Sequence, residues 1–310
     1  MERLRHDDPS QIGPYVTLAR LDAESAGRTV PERRYLARDG DGQRTVLVCV
    51  PPVGSDPSRW ALEAEGARRL SVPGFLNVAE VGGSAGFPWY AAPYTPALPL
   101  PAVLAAYGGP LPEDTVRGLG AALARGLAVA HARGVTHAGL SPAAVLVTPG
   151  GPLLTCYGAA RAGLAGLDPG CLAPEEASGA VPSPAGDLFA LGAVLAYAAT
   201  GHTVPEQSEL PPGLRRLVGA CLARDPADRP GSAQEPLREL AEPAAAPAGP
   251  AVGAASAGDP RLPDVTVFDH SAPPSLPGRV VAALAAQSAA LLAAELPVPE
   301  QAFAATQKVH

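Results

Sequence analysis

The chain has 310 residues, of which 17% are charged and 47% hydrophobic, and its formal net charge is −7. That length can bury a sizeable core, while the acidic balance without a basic stripe argues against nucleic acid as a partner. Among 23 Lys and Arg the single lysine is Lys308, which excludes any mechanism that needs a lysine inside a folded domain.

From the N-terminus, residues 1–11 form a polar lead without the apolar core of a signal peptide. Tyr15–Leu21, Arg34–Ala37 and Thr45–Val50 are short alternating or apolar runs, and Asp39-Gly40-Asp41-Gly42 between the last two is a hairpin signal. Asp56-Pro57-Ser58 opens a helix over Ser58–Leu70 that stops near Pro73. Strand-like runs follow at Asn77–Val81 and Trp89–Ala92. The chain then turns helical. Val116, Leu119, Leu123, Leu127 and Ala130 recur at steps of three and four, predicting a helix of about five turns. Leu188–Leu195 and Leu214–Leu222 repeat the pattern. Strands first and helices afterwards predict an α+β, bilobal domain.

Composition changes near Glu242. Residues 243–263 are almost all Ala, Pro, Gly and Ser and read as a linker. The tail, 264–310, carries the strand-like Val265–Phe268 and an alanine-rich stretch that predicts a helix over 279–295, with Val281, Leu284, Ser288, Leu291 and Leu292 as its apolar face. That helix is expected to dock on its own domain or on a partner. No apolar run is long enough to span a membrane. Cys49, Cys156, Cys171 and Cys221 contain no Cys-x-x-Cys pair, so neither a zinc site nor a redox motif is expected, and a cytoplasmic chain with reduced thiols is.

Several separated segments then agree with one family. Gly134-Val135-Thr136-His137-Ala138-Gly139-Leu140-Ser141-Pro142-Ala143-Ala144-Val145-Leu146 resembles the catalytic loop of bacterial Ser/Thr protein kinases, His-Arg-Asp-Leu-Lys-Pro-x-Asn. Thr155-Cys156-Tyr157-Gly158 stands where Asp-Phe-Gly belongs, and Ala173-Pro174-Glu175 matches the family's Ala-Pro-Glu. Gly186–Gly192 resembles the start of the buried central helix, and Cys221–Pro230 the last motif of the helical lobe. In the small lobe, Tyr35–Asp39 and Val46–Val50 resemble its second and third strands. The resemblance covers about residues 12–242. It implies a protein-kinase-like fold, with a β-rich N-lobe over about 12–93 and a helical C-lobe over about 94–242.

The resemblance assigns structural roles to the residues it keeps. Glu175 and Arg229 match a partly buried ion pair, and Asp187 a carboxylate that accepts from the catalytic-loop backbone. His137 and Tyr157 keep the rings that stack through the core, and Glu63 matches the helix carboxylate that normally pairs with a strand lysine. With that lysine gone, Glu63 is expected to be solvated or locally paired, with Arg33 or Arg34 as the alternative.

The catalytic positions are the ones that differ. Phosphoryl transfer is positioning plus charge neutralisation, so particular charges must be supplied. The resemblance puts Cys49 in place of the phosphate-binding lysine, Gly139 in place of the aspartate base, and Ala144 and Cys156 in place of the two magnesium ligands. Ala138 and Ser141 replace the loop's arginine and lysine, and Leu21–Gly27 has one glycine where the family has three. A thiol and a methyl group are poor hosts for a hard cation. Cys49 and Cys156 are expected to face each other across the cleft, as small apolar fillers or as a redox pair. The expectation is a pseudokinase with no catalytic, cofactor or metal site. It acts as a regulatory or scaffolding module whose protein partner is an active kinase or another regulator. The alternative is a noncanonical enzyme of the family that still uses ATP and magnesium.

Overall fold

The computed structural model describes residues 2–22, 30–84, 86–163, 166–241 and 275–294. The small lobe is an antiparallel sheet of β1 (Gln11–Ile12), β2 (Tyr15–Arg20), β3 (Arg33–Asp39), β4 (Thr45–Val50), β5 (Glu80–Ser84) and β6 (Phe87–Pro93), in the order β1-β2-β3-β4-β6-β5. Alternation along a strand sorts side chains to two faces. Tyr35, Ala37, Val46, Val48 and Val50 join Ile12, Tyr15 and Trp89 on one side, while Leu36, Leu47, Cys49 and Tyr90 face the other lobe. Between β4 and β5 lies α1 (Pro57–Arg69), started by Asp56, whose carboxylate accepts from the Ser58 N–H at 2.9 Å. Its Trp60 stacks on Tyr90, with ring centroids 5.4 Å apart.

The polar lead, residues 2–11, is tied to the sheet, and one strand expectation is corrected. The backbones of Glu2 and Arg20 exchange two 2.9 Å hydrogen bonds, and the Asp8 carboxylate accepts from the Tyr35 hydroxyl at 2.8 Å. The strand expected at Asn77–Val81 pairs instead over Glu80–Ser84. Gly82 and Gly83 carry no apolar alternation, yet they are required there: a Cβ on Gly83 would sit 2.2 Å from the Phe87 carbonyl oxygen.

The large lobe begins with β7 (Leu98–Pro99) and α2 (Leu100–Tyr107), followed by α3 (Glu113–Ala132), the hairpin β8 (Val145–Thr148) and β9 (Gly151–Leu154), α4 (Pro174–Ala177), α5 (Pro184–Thr200), α6 (Pro212–Cys221) and α7 (Gln234–Ala241). Helix α5 is apolar nearly all round because α3, α6 and the segments Pro142–Ala144 and Pro169–Cys171 enclose it. The close approach of α3 depends on Gly120, where a Cβ would meet Leu195 Cδ2 at 2.5 Å.

The tail forms α8 (Gly278–Leu292), which packs on its own domain. Its buried side chains are Val280, Leu284, Gln287 and Leu291. The expected face is therefore rotated: Val281 is 51% and Leu292 82% exposed. A polar anchor, Gln287, sets the orientation, and hydrophobicity alone could not reveal it. Residues 243–263, Val265–Phe268 and most of Leu21–Gly27 lie outside the described residues. No helix among the described residues is long and apolar enough to cross a membrane.

Candidate functional site

Glu175 and Arg229 lie together in the large lobe, while the cleft between the lobes collects Cys49, Glu63, Cys156 and Tyr157. Register sets one row across its roof: Arg34 on β3 pairs with Cys49 on β4, and Cys49 with Tyr90 on β6. Cys49 is fully buried. The cation at this level is Arg34, one strand to the side, and its side chain is enclosed. Arg34 Nε donates to Asp22 Oδ2 at 2.8 Å and Nη2 to Asp22 Oδ1. Its other bonds reach the opposite lobe, Nη1 to the Thr155 hydroxyl and Nη2 to the Ala143 carbonyl, each at 2.9 Å. Burial opposes the charge, but Asp22 outweighs it, and the guanidinium is held more firmly protonated than in water.

Behind this bridge lies Glu32, which sequence reasoning missed. In Pro31-Glu32-Arg33-Arg34 it looks like part of a solvated charge run, yet it is 5% exposed and accepts from the Tyr90 hydroxyl at 2.7 Å. Burial raises its carboxyl to about 7, against the lowering influence of Tyr90 and Arg34. Burial and the charge of Glu32 together push both the Cys49 and Cys156 thiols well above their usual range. Both are free. Buried, protonated thiols are inert, which fits cleft fillers better than a redox pair.

The space that remains is small. One cavity of ≈ 20 Å³ is lined by Glu32, Glu63, Tyr90, Thr155, Cys156 and Tyr157 among others. Another of ≈ 20 Å³ lies among Leu36, Leu47, Tyr94, Ala97, Leu146 and Leu153. Each has room for about one water, whereas ligand pockets typically run to about 300–1,000 Å³.

On the floor of the cleft, Gly139 is packed against backbone: a Cβ there would stand 2.2 Å from the Cys156 carbonyl oxygen and 3.0 Å from Ala159 Cβ. Ala144 is fully buried, and its carbonyl accepts from the Thr155 hydroxyl at 2.9 Å. Ala138 and Cys156 have φ of 54° and 60°, a left-handed conformation that costs a residue with a Cβ about 1 kcal/mol or more. The loop is held by Asp187, which accepts from the His137 N–H at 2.7 Å and the Ala138 N–H at 2.9 Å, with His131 Nε2 2.9 Å away. The His137 ring lies between Phe75 and Tyr157, at centroid distances of 5.2 and 6.2 Å, and burial lowers its pKa to about 4. It is neutral over the working pH range.

Two ion pairs brace the fold, one inside the large lobe and one between α1 and the segment after Gly158. Arg229 meets Glu175 with two parallel bonds, Nη1 to Oε1 at 2.6 Å and Nη2 to Oε2 at 2.7 Å. Glu63 is paired with neither Arg33 nor Arg34. Its partner is Arg161, three residues past Gly158, with Nη2 2.8 Å from Oε2. Arg161 also donates to the Thr136 carbonyl at 3.0 Å and lies over the Tyr157 ring, 4.6 Å from the centroid. Arg33 is turned away, its Nε bonding the Pro51 carbonyl at 3.2 Å. Sequence reasoning missed Arg161 because the path of the segment after Gly158 has no local signature. Among the described residues, no group of three or more His, Cys, Asp or Glu is arranged to hold a metal ion.

No family model matches the chain. Curated relatives do: the probable Ser/Thr protein kinase PkwA of Thermomonospora curvata is 34% identical over 76% of this chain, and AfsK of Streptomyces griseus 33% over 76%. The chain spans about a third of their lengths, 35% and 33%. Among solved structures, the PknI kinase domain of Mycobacterium tuberculosis superposes with a TM-score of 0.58 at 27% identity, over 74% of this chain and 96% of that one. Rad53 in complex with AMP-PNP shares the fold at a TM-score of 0.55 and 18% identity, over 69% of this chain and 62% of that one.

Proposed function

We propose that this chain, a homologue of bacterial Ser/Thr protein kinases with the fold of their kinase domain, is a pseudokinase that regulates or scaffolds a protein partner. The observation that carries the reading is the Arg34 bridge. A guanidinium already bonded to Asp22, Thr155 and the Ala143 carbonyl fills the cleft where phosphates would need one to be free. The groups around it support the same reading. Gly139 offers no general base and has no room for one. Ala144 and Cys156 offer no oxygen ligands for magnesium, and Cys49 is a protonated thiol. What is built carefully instead is the frame: Asp187 under the loop, Arg229 on Glu175, and Arg161 joining α1 to the segment after Gly158. A rigid kinase-shaped surface is what a binding role requires, since fold and chemistry are separable.

A thermal-shift titration with ATP and magnesium tests the reading, because a ligand that binds only the native state raises its stability. No shift at millimolar nucleotide is expected, together with no label transfer from γ-labelled ATP to the chain or to a generic protein substrate. A magnesium-dependent shift of several degrees would overturn it in favour of a noncanonical ATP-using enzyme.

A further inference from the structure

We infer that α8 is a strap that fixes the angle between the two lobes. The lobes are joined by Tyr94–Ala97, between β6 and β7, and rotation about this link is what opening the cleft would need. Helix α8 is attached on both sides of it. At its start, Val280 and Leu284 are buried in the large-lobe core with Leu98, Leu100 and Leu104, and Arg279 Nη1 donates to the Tyr107 carbonyl at 3.2 Å. At its end, Leu291 is buried with the small-lobe and cleft residues Leu36, Leu47 and Leu146. Arg38 of β3 caps the same end, donating to the carbonyls of Leu291 at 2.8 Å and Ala294 at 3.1 Å. These carbonyls lie at the C-terminal end of the helix, where a cation is favoured by the helix dipole. Between the two anchors, Gln287 Oε1 accepts from the Ala97 N–H of the link itself, at 3.0 Å.

Three points along one helix of 15 residues therefore hold large lobe, link and small lobe together. A lobe rotation cannot occur without breaking the Arg38 or the Gln287 bonds, or pulling Leu291 out of its cluster. Detachment is also easy to envisage physically. Only four side chains of the helix are buried, and the Gln287 Nε2 has no hydrogen-bond partner among the described residues. Local opening draws on weakly held elements of this kind. The inference is independent of whether nucleotide binds, since it concerns lobe motion alone.

Hydrogen exchange and pulsed electron–electron distance measurements on the full chain test it. The four native cysteines are buried, so spin labels on Leu62→Cys and Val204→Cys, exposed positions in the two lobes, report the interlobe distance. In the wild-type background a single narrow distribution is expected. Gln287→Ala combined with Arg38→Ala should broaden it and speed exchange of the 94–98 amides by about tenfold or more, with α5 still protected. Ala286→Ser, on the exposed face of α8, should change neither readout. A distribution of equal width in the double variant, or unprotected α8 amides in the wild type, would overturn the strap. If the double variant loses α5 protection as well, Arg38→Ala alone provides the second probe. It removes only the small-lobe anchor, so a broadened distribution supports the strap and an unchanged one speaks against it.

Discussion

Glu32 and His137 are expected to give this domain two opposing pH responses over one window. The Glu32 carboxyl titrates near 7 in the fold because it is buried, against 4.5 unperturbed. Below pH 4.5 both states are protonated. Between 4.5 and 7 only the unfolded chain ionises, so each pH unit removes about 1.4 kcal/mol of stability, on the order of 3 kcal/mol in all. His137 has the opposite sign. Its folded pKa is lowered from 6.5 to about 4 by burial, so its contribution is complete above pH 6.5 and is lost as the pH falls toward 4. Between pH 4.5 and 6.5 the two nearly cancel. Glu32→Gln keeps an acceptor for Tyr90 but removes the titration, so acidification from 6.5 to 4.5 should cost this variant about 3 kcal/mol more than wild type. For a domain of this size that is a melting point about 6–10 °C lower. His137→Leu should do the reverse, and the double variant should follow wild type. Calorimetry or denaturant titration at half-unit pH steps measures the differences, in which all other groups cancel. Parallel pH profiles for wild type and Glu32→Gln would refute the buried-carboxyl argument.

Arg34→Met should lower stability by about 2–4 kcal/mol in chemical denaturation, because it strands Asp22 and the Ala143 carbonyl. Asp22 is 23% exposed and can rehydrate, and Thr155 keeps its bond to the Ala144 carbonyl, which limits the loss. Adding Asp22→Asn should cost less than its single-variant value, and a strictly additive cycle would argue against the pairing. Gly139→Asp should destabilise by about 2 kcal/mol or more and yield no phosphotransfer, since even its Cβ lies 2.2 Å from the Cys156 oxygen. A stable, active variant would contradict this. Glu175→Gln should cost about 3 kcal/mol by leaving Arg229 buried without its counter-ion, read as a lower denaturation midpoint. Arg229 adds cation–π packing on Phe189 at 5.1 Å, so Arg229→Met should be no milder.

The order of strands and helices was legible because period and punctuation carried it. β4 matches the apolar run Thr45–Val50, and α3 spans the Val116–Ala130 stripe. Helix α2 was not legible, since Leu100-Pro101 looks like a breaker when it is in fact a tolerated first turn. At the candidate site, the motif positions could be named because their spacing along the chain is fixed. Their partners could not. Arg161 reaches Glu63 across 98 residues, and Gln287 reaches Ala97 across 190. Such pairings depend on how a loop or a tail returns to the domain, and no local pattern encodes that return. Glu32 failed for another reason: its neighbours are charged, and only the tertiary fold closes over it.

The pairing of Arg34 with Asp22 also determines what an approaching anion would feel. The inner face of the cleft contains one positive and one negative group 2.8 Å apart, two undissociated thiols and a carboxyl that is neutral below about pH 7. Among these described groups the charges sum to zero, and above that pH the sum turns negative. A polyphosphate would therefore meet no attraction from these groups, and repulsion from them under alkaline conditions. The arginine-only chemistry of the chain could have supplied a beacon for phosphate here. In this fold its charge is already spent inside the protein.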